Sequence, residues 1–133
     1  MYKVKRNHIV EDLEIEDNGK VLKLAVDISV DTMLKSYNNA QYKIAQASID
    51  AKQAKDDKDM SKAKEAMGNA VLGLFEVIFG AEQTKQIIEF YDNKSLEMLG
   101  DIAPFITEVV APRFKEAQDR ITESYRQVSR HGK

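Results

Sequence analysis

At 133 residues the chain has the size of one domain and can close a modest apolar core without disulfides or bound metal. With 43% hydrophobic and 32% charged residues it falls in the globular class, and its longest apolar run, Ala70 to Phe79, is too short and too interrupted (Gly73, Glu76) to span a membrane. A net charge of −2 argues against nucleic acid as a general partner, and the lack of cysteine fits a reducing, cytoplasmic setting; no signal-peptide run follows the basic start Met1 to His8.

Residues 9–28 read as an antiparallel β-hairpin. Asn18-Gly19 is the favoured two-residue turn, because both of its positions need positive φ. That turn fixes the register: Asp17 faces Lys20, Ile15 faces Leu22, Glu14 faces Lys23 and Leu13 faces Leu24. One face then collects Leu13, Ile15, Leu22 and Leu24, and the other carries the Glu14–Lys23 pair. The same register sets Glu11 against Val26 on the apolar face, a mismatch for which a bulge or fraying near Glu11 is the expected repair. A lone ribbon is marginal in water, so its apolar face must lie on helices or on another chain.

From Asp31 the period becomes helical. Met33, Tyr37, Ala40, Ile44, Ala47 and Ala51 define a narrow, alanine-rich stripe on a helix of about Asp31 to Lys55. Asp56 to Asp59 reads as a polar connection, and Ser61 as the cap of the next helix, about Ser61 to Phe79. That helix has the broadest apolar face, with Ala63, Met67, Ala70, Val71, Leu74, Phe75 and Ile78. Gly80 is expected to end it, and Gly68 and Gly73 inside it suggest close contact with a neighbouring backbone. Ala81 to Tyr91 forms a short helix closed by Asp92-Asn93. Ser95 caps another, which Pro104 should break, and Pro112 should force a further kink or restart.

The last helix, Arg113 to about Arg130, sets Phe114, Ile121 and Val128 at seven-residue intervals, a seam too short for an independent coiled coil. Charge divides unevenly. From residue 113 onward Arg113, Lys115, Arg120, Arg126, Arg130 and Lys133 oppose Glu116, Asp119 and Glu123, a net of +3. From 81 to 111 Glu82, Glu89, Asp92, Glu97, Asp101 and Glu108 oppose Lys85 and Lys94, a net of −4. Opposite signs of this kind suit solvated faces, or pairing between copies in a homo-oligomer.

Chemistry-bearing clusters do not emerge. His8 and His131 stand at opposite ends with no carboxylate at ligand spacing, and both read as solvated. The glycines lie in or at the end of helices rather than in a phosphate-binding loop, and no serine or threonine has a histidine partner. Asp56, Asp57 and Asp59 lack the glycine and glutamate positions of a calcium loop. No catalytic, cofactor-binding or metal residue is assigned, and the expected function is non-enzymatic. Leu74, Phe75, Ile78, Phe90, Phe105 and Ile106 are expected in the core. Tyr37 and Tyr42 lie on different faces of the first helix, so at least one should be exposed, as at protein–protein surfaces.

The segment Val71-Leu-Gly-Leu-Phe-Glu-Val-Ile-Phe-Gly80, followed by Glu82-Gln83, Ile87-Ile88-Glu89-Phe90-Tyr91 and the run Leu96 to Leu99 with Pro104-Phe105-Ile106, resembles small proteins of tailed phages and prophages of Gram-positive bacteria. Those proteins are similar to the tail assembly chaperones encoded between the tail tube and tape measure proteins. The resemblance spans about Ile9 to Pro112. It implies a protein of the host bacterial cytoplasm that coats the long helical tape measure protein and recruits tail tube subunits, with no cofactor. Two other readings remain: a structural virion component for tail completion or head–tail connection, which finished particles would retain, and a small nucleic-acid-binding regulator using Arg113, Arg120, Arg126 and Arg130, whose binding would fall steeply with salt.

The expected architecture is therefore α+β and a single domain: the hairpin at 9–28, a helical body at 31–112, and a C-terminal helix at 113–133 that projects. About five helices are expected. The residues expected to meet partners are Leu13, Ile15, Leu22 and Leu24 on the hairpin, Tyr37 and Tyr42 on the first helix, and Phe114, Ile121 and Val128 on the last.

Overall fold

A computed structural model describes residues 1–6 and 8–131, the side chain of His131 excepted; the expectations that touch that side chain, Gly132 and Lys133 lie outside the described residues. The chain forms β1 (Ile9–Asp17), β2 (Lys20–Ile28), α1 (Val30–Gln53), α2 (Asp57–Phe90), α3 (Ser95–Phe105), a π-helical turn (Ile106–Val110) and α4 (Ala111–His131). An N-terminal antiparallel hairpin thus precedes a helical body. Among the described residues the helices count as three rods rather than about five, because α2 carries on across a kink at Gly80 and because α3, the π-turn and α4 run on without interruption.

The hairpin has the expected register throughout, from Asp17 opposite Lys20 to Ile9 opposite Ile28. Asn18 (φ 50°) and Gly19 (φ 84°) supply the two positive φ angles of the turn. No bulge repairs the mismatch at Glu11. It stays directly opposite Val26, and its carboxylate accepts a hydrogen bond from Arg113 Nε at 2.7 Å. Charge pairing with α4, rather than a backbone irregularity, accommodates the carboxylate.

Capping differs from expectation at two helix starts. Asp56, not Ser61, caps α2: its side chain accepts from the Asp59 N–H at 2.8 Å, and Asp57 and Asp59 bring negative charge to the positive end of the helix. The third rod starts after Lys94, with Ser95 already helical. At the end of α2, Asp92 (φ 53°) and Asn93 (φ 65°) take the left-handed conformation. The Asn93 N–H reaches Ile88 O at 3.0 Å and the Asp92 N–H reaches Glu89 O at 3.3 Å, the paired bonds of a Schellman closure.

Gly80 ends the first helical stretch of α2, as its position suggested, and a second stretch follows across a kink. Its φ of 80° and ψ of 163° leave helical space for one residue, and the helix resumes at once. A side chain there would touch nothing within 4 Å, so the requirement for glycine is conformational rather than steric. Gly68 and Gly73 likewise have nothing within 4 Å of where a Cβ would stand, so neither marks the close backbone contact that their positions suggested.

Pro104 and Pro112 are both absorbed within the third rod. The Ala111 N–H reaches back to Ile106 O, the five-residue spacing of a π-turn. Pro112 follows directly; it has no N–H to offer where the chain returns to α spacing, so the missing donor falls at a point already irregular. The widened turn re-aims α4 instead of stopping it.

α1 and α2 form an antiparallel pair with alanines at the seam: Ala40 and Ala47 on one helix, Ala63 and Ala70 on the other, all buried. Seven-residue spacing on both sides keeps small side chains facing one another over two turns. The main core lies at one end of this pair. There Leu24, Val26 and Ile28 of β2 cover Val71, Leu74, Phe75, Ile78 and Ile87 of α2, and Met98, Ile102, Ile106, Val110 and Phe114 close it from the third rod. Of the expected core residues Leu74, Phe75, Ile78 and Ile106 are buried, whereas Phe90 and Phe105 are half-buried against the same cluster. Phe79 joins Phe75 edge-on (5.6 Å) to Phe105 stacked (6.3 Å). Tyr91 donates its hydroxyl to Asp101 Oδ2 at 3.0 Å and ties the end of α2 to α3. Among the described residues no helix is long and apolar enough to cross a membrane.

Two stability measurements check this account. In urea denaturation, Gly80→Ala is expected to lose about 2 kcal/mol, because alanine is strained at that φ and ψ. Gly68→Ala, in regular helix with open space, is expected to gain up to about 1 kcal/mol. The second concerns pH. Burial, then the hydrogen bond and charge of Asp101, push the Tyr91 hydroxyl from 10.0 up to about 12. The folded chain therefore keeps a proton that the unfolded chain has released. That contribution is full below pH 10.0 and is lost as pH rises through about 12. A phenolate absorbance titration, with Tyr91→Phe as the subtraction, should show this tyrosine ionising near about 12 rather than 10.0, and Asp101→Asn should bring it down.

Candidate partner-binding surfaces

The hairpin's apolar face is mostly spent on the body. Leu24 is buried in the core, and Leu13, Ile15 and Leu22 are half-buried against it. What sequence reasoning missed is the clamp that seats the ribbon. The Gln83 side-chain carbonyl accepts from the Ala25 N–H at 2.9 Å, while its amide donates to Ala25 O at 2.8 Å and to Phe79 O at 2.9 Å. One side chain satisfies the outer edge of β2 at a single residue and the carbonyl that precedes the bend at Gly80. The only trace of this in the sequence is a glutamine three residues after the glycine.

On α1 the two tyrosines part as their faces require. Tyr37 is buried and packs on Phe114 with ring centroids 4.7 Å apart, and its hydroxyl accepts from Gln41 Nε2 at 3.1 Å. Tyr37 and Phe114 are therefore the joint between α1 and α4 rather than a free surface. Tyr42 is 67% exposed and stands at the rim of a groove of about 540 Å³ between α1 and α2. Ala40, Ala47, Ala66, Ala70 and Gly73 line that groove with Val77, and Asn39, Lys43, Gln46 and Asn69 edge it. Gln46 donates to Asp50 Oδ1 at 3.1 Å, so the rim is polar and close to neutral in charge. A small-residue floor with an aromatic at the edge admits the knobs of another helix; the groove's residues were visible in the sequence only as alanine periodicity.

α4 is anchored at one end. Phe114 is buried and Arg113 holds both Glu11 (2.7 Å) and Glu116 (3.2 Å), which raise the pKa of its guanidinium further, Glu11 most. Ile121 is 38% exposed and borders a hollow shared with Ile9 and Val30. Beyond it Tyr125 and Val128 are exposed, on the same stripe as Phe114 and Ile121. The far half of α4 thus projects as an amphipathic helix with an uncovered apolar side, its Arg126 paired with Glu123 at 3.8 Å. Among the described residues no group of three histidine, cysteine or acidic side chains gathers as a metal site requires.

No family model matches this chain, and neither a curated protein nor a solved structure matches it.

The division of α4 into anchor and projection can be measured directly. Ending the chain after Thr122 should leave the urea unfolding free energy within about 0.5 kcal/mol of the full chain, since the side chains lost are surface ones. Phe114→Ala should cost about 3–5 kcal/mol, because it opens a cavity against Tyr37.

Proposed function

We propose that this protein is a non-enzymatic binding protein of phage tail morphogenesis, a tail assembly chaperone that holds the helical tape measure protein and presents it to tail tube subunits in the host cytoplasm. The observation that carries the reading is the groove between α1 and α2. Its floor of alanine and glycine lets a partner helix come close, and Tyr42 offers a large contact at low entropic cost at its rim. The projecting stripe of Ile121, Tyr125 and Val128 supplies a second, separate contact for a helical partner. Each surface is small. Binding of many copies along one elongated chain would gain strength by repetition rather than by the affinity of one contact.

Co-expression with a tape measure fragment tests this. The wild-type protein is expected to keep the fragment in the soluble fraction, and Gly73→Leu, which fills the groove from an open position, should return most of it to the pellet while the protein's own circular dichroism stays unchanged. A fragment that stays insoluble beside the wild-type protein removes the chaperone reading.

A further inference from the structure

We infer that the open edge of β1 is a docking site for the leading segment, Met1 to Arg6, of a second copy of this chain, which adds to the hairpin as a third strand. Among the described residues the sheet has two strands, and one edge of β1 carries no partner strand. Which residues address that edge follows from β2. Both backbone polar groups of Ala25 point outward, where Gln83 takes them, and Ala25 lies opposite Asp12. In an antiparallel ladder, residues opposite one another in such a wide pair both turn their N–H and C=O away from the shared side. Asp12 and, two residues on, Glu14 therefore aim theirs at the free edge of β1, an exposed template for another strand.

The leading segment has the complementary pattern. Tyr2 and Val4 alternate with Lys3 and Lys5, a period of two, and Tyr2 and Val4 are 91% and 85% exposed. Laid antiparallel on β1 with Lys5 opposite Asp12, the segment sets Lys3 opposite Glu14 on the solvent face. The same register sets Val4 opposite Leu13 and Tyr2 opposite Ile15 on the other face, where both β1 residues are only half-buried. A shift by one residue would bring lysines over Leu13 and Ile15, and a shift by two would set Tyr2 opposite Asp17 or Val4 opposite Glu11, so this register matches best. The chain's own segment cannot serve in this register. Residues 6–11 would have to turn, yet Ile9, Val10 and Glu11 are already extended opposite Ile28, Asp27 and Val26. A second copy can supply the strand without opening the ladder. Main-chain bonds from Lys3 and Lys5 then give affinity, and the two charge pairs with the two apolar pairs give register. Each copy carries one segment and one edge, so the contact either closes reciprocally or repeats along a chain of copies.

Sedimentation velocity of the full chain at low salt, with amide exchange followed at Asp12 and Glu14, tests this. The expected result is a mass that grows with concentration, protection of those two amides that grows with it, and weakening of both by added salt. Lys3→Glu with Lys5→Glu should weaken association about tenfold or more, and an equimolar mixture of that variant with Asp12→Lys, Glu14→Lys should recover it. Lys5→Pro, which removes one ladder N–H from a segment outside the folded body, should weaken association by itself and keeps the test decisive if the β1 variant misfolds. A chain that remains monomeric at millimolar concentration overturns the proposal. So does association that the Lys3 and Lys5 reversals leave unchanged, or protection of Asp12 and Glu14 that does not depend on concentration.

Discussion

Three hydrogen bonds made by the Gln83 side chain tie the kink at Gly80 to the hairpin, and much of the tertiary arrangement follows from them. Leaving helical φ and ψ for one residue kinks α2 directly after Phe79, whose carbonyl accepts from the Gln83 side chain at 2.9 Å. A buried or half-buried carbonyl without a donor costs about 1–3 kcal/mol. Gln83 supplies a donor, and the same side chain then has its remaining donor and its acceptor aimed at Ala25 of β2. Since Ala25 sits between Leu24 and Val26, that fixed point holds the inward face of β2 over Val71, Leu74 and Phe75. Burial stabilises the hairpin, but burial is not directional. The bonds of Gln83 set where along α2 the ribbon rests.

The third rod solves a second problem of the same kind. A helix carrying Pro104 and Pro112 loses two backbone donors, and the π-turn between them concentrates the irregularity in one short stretch. Thr107 Oγ1 lies 3.4 Å from Pro104 O, a weak bond that helps to satisfy the region. The re-aimed α4 brings Phe114 under Tyr37 and Arg113 beside Glu11. Glu11, a polar residue amid the apolar pairs of the hairpin's inward face, is thereby answered from a helix 102 positions away in sequence. Arg113 is well exposed, so this ion pair adds little stability of its own. Its effect is to make Glu11 tolerable where an aliphatic residue would otherwise be expected.

Local rules made the hairpin and its register legible down to individual pairs, because the Asn18-Gly19 turn leaves no freedom in the count. The helical stripes of α1 and α2 were legible for the same reason, as periodic burial over many turns. Where two elements had to cooperate, the sequence was silent or misleading. Proline rules foretold breaks at Pro104 and Pro112, but core residues on both sides, Ile102, Ile106 and Val110, keep one continuous apolar stripe and hold the rod together. At Gly80 the local reading held: one helical stretch ends there and another starts at Ala81, although the two are joined across a one-residue kink. The Glu11 mismatch was visible, whereas its answer lay in tertiary contact with Arg113. Of the expected contact residues, Tyr37, Phe114 and Leu24 proved to be core, and Tyr42 and Val128 stand free; sequence periodicity marks an apolar position without saying which neighbour covers it.

The placement of the core bears on the proposed role. Buried large side chains gather where β2, α2 and the third rod meet, while the far half of the α1–α2 pair relies on alanine, with Ala47 and Ala63 buried and Ile49 46% exposed. Alanine seams bring helices close but remove little apolar area from water, about 25 cal/mol for each Å². The far half of α4 buries less still. Both extensions add surface faster than they add stability, which a chain selected only for a compact fold has little reason to keep. Helical extensions that are cheap to form and present grooves or apolar stripes suit a protein whose contacts must be numerous, individually weak and reversible. Tight, large-area burial on either extension would work against release of the partner. The small apolar area that these extensions bury is what the proposed role, binding followed by release, calls for.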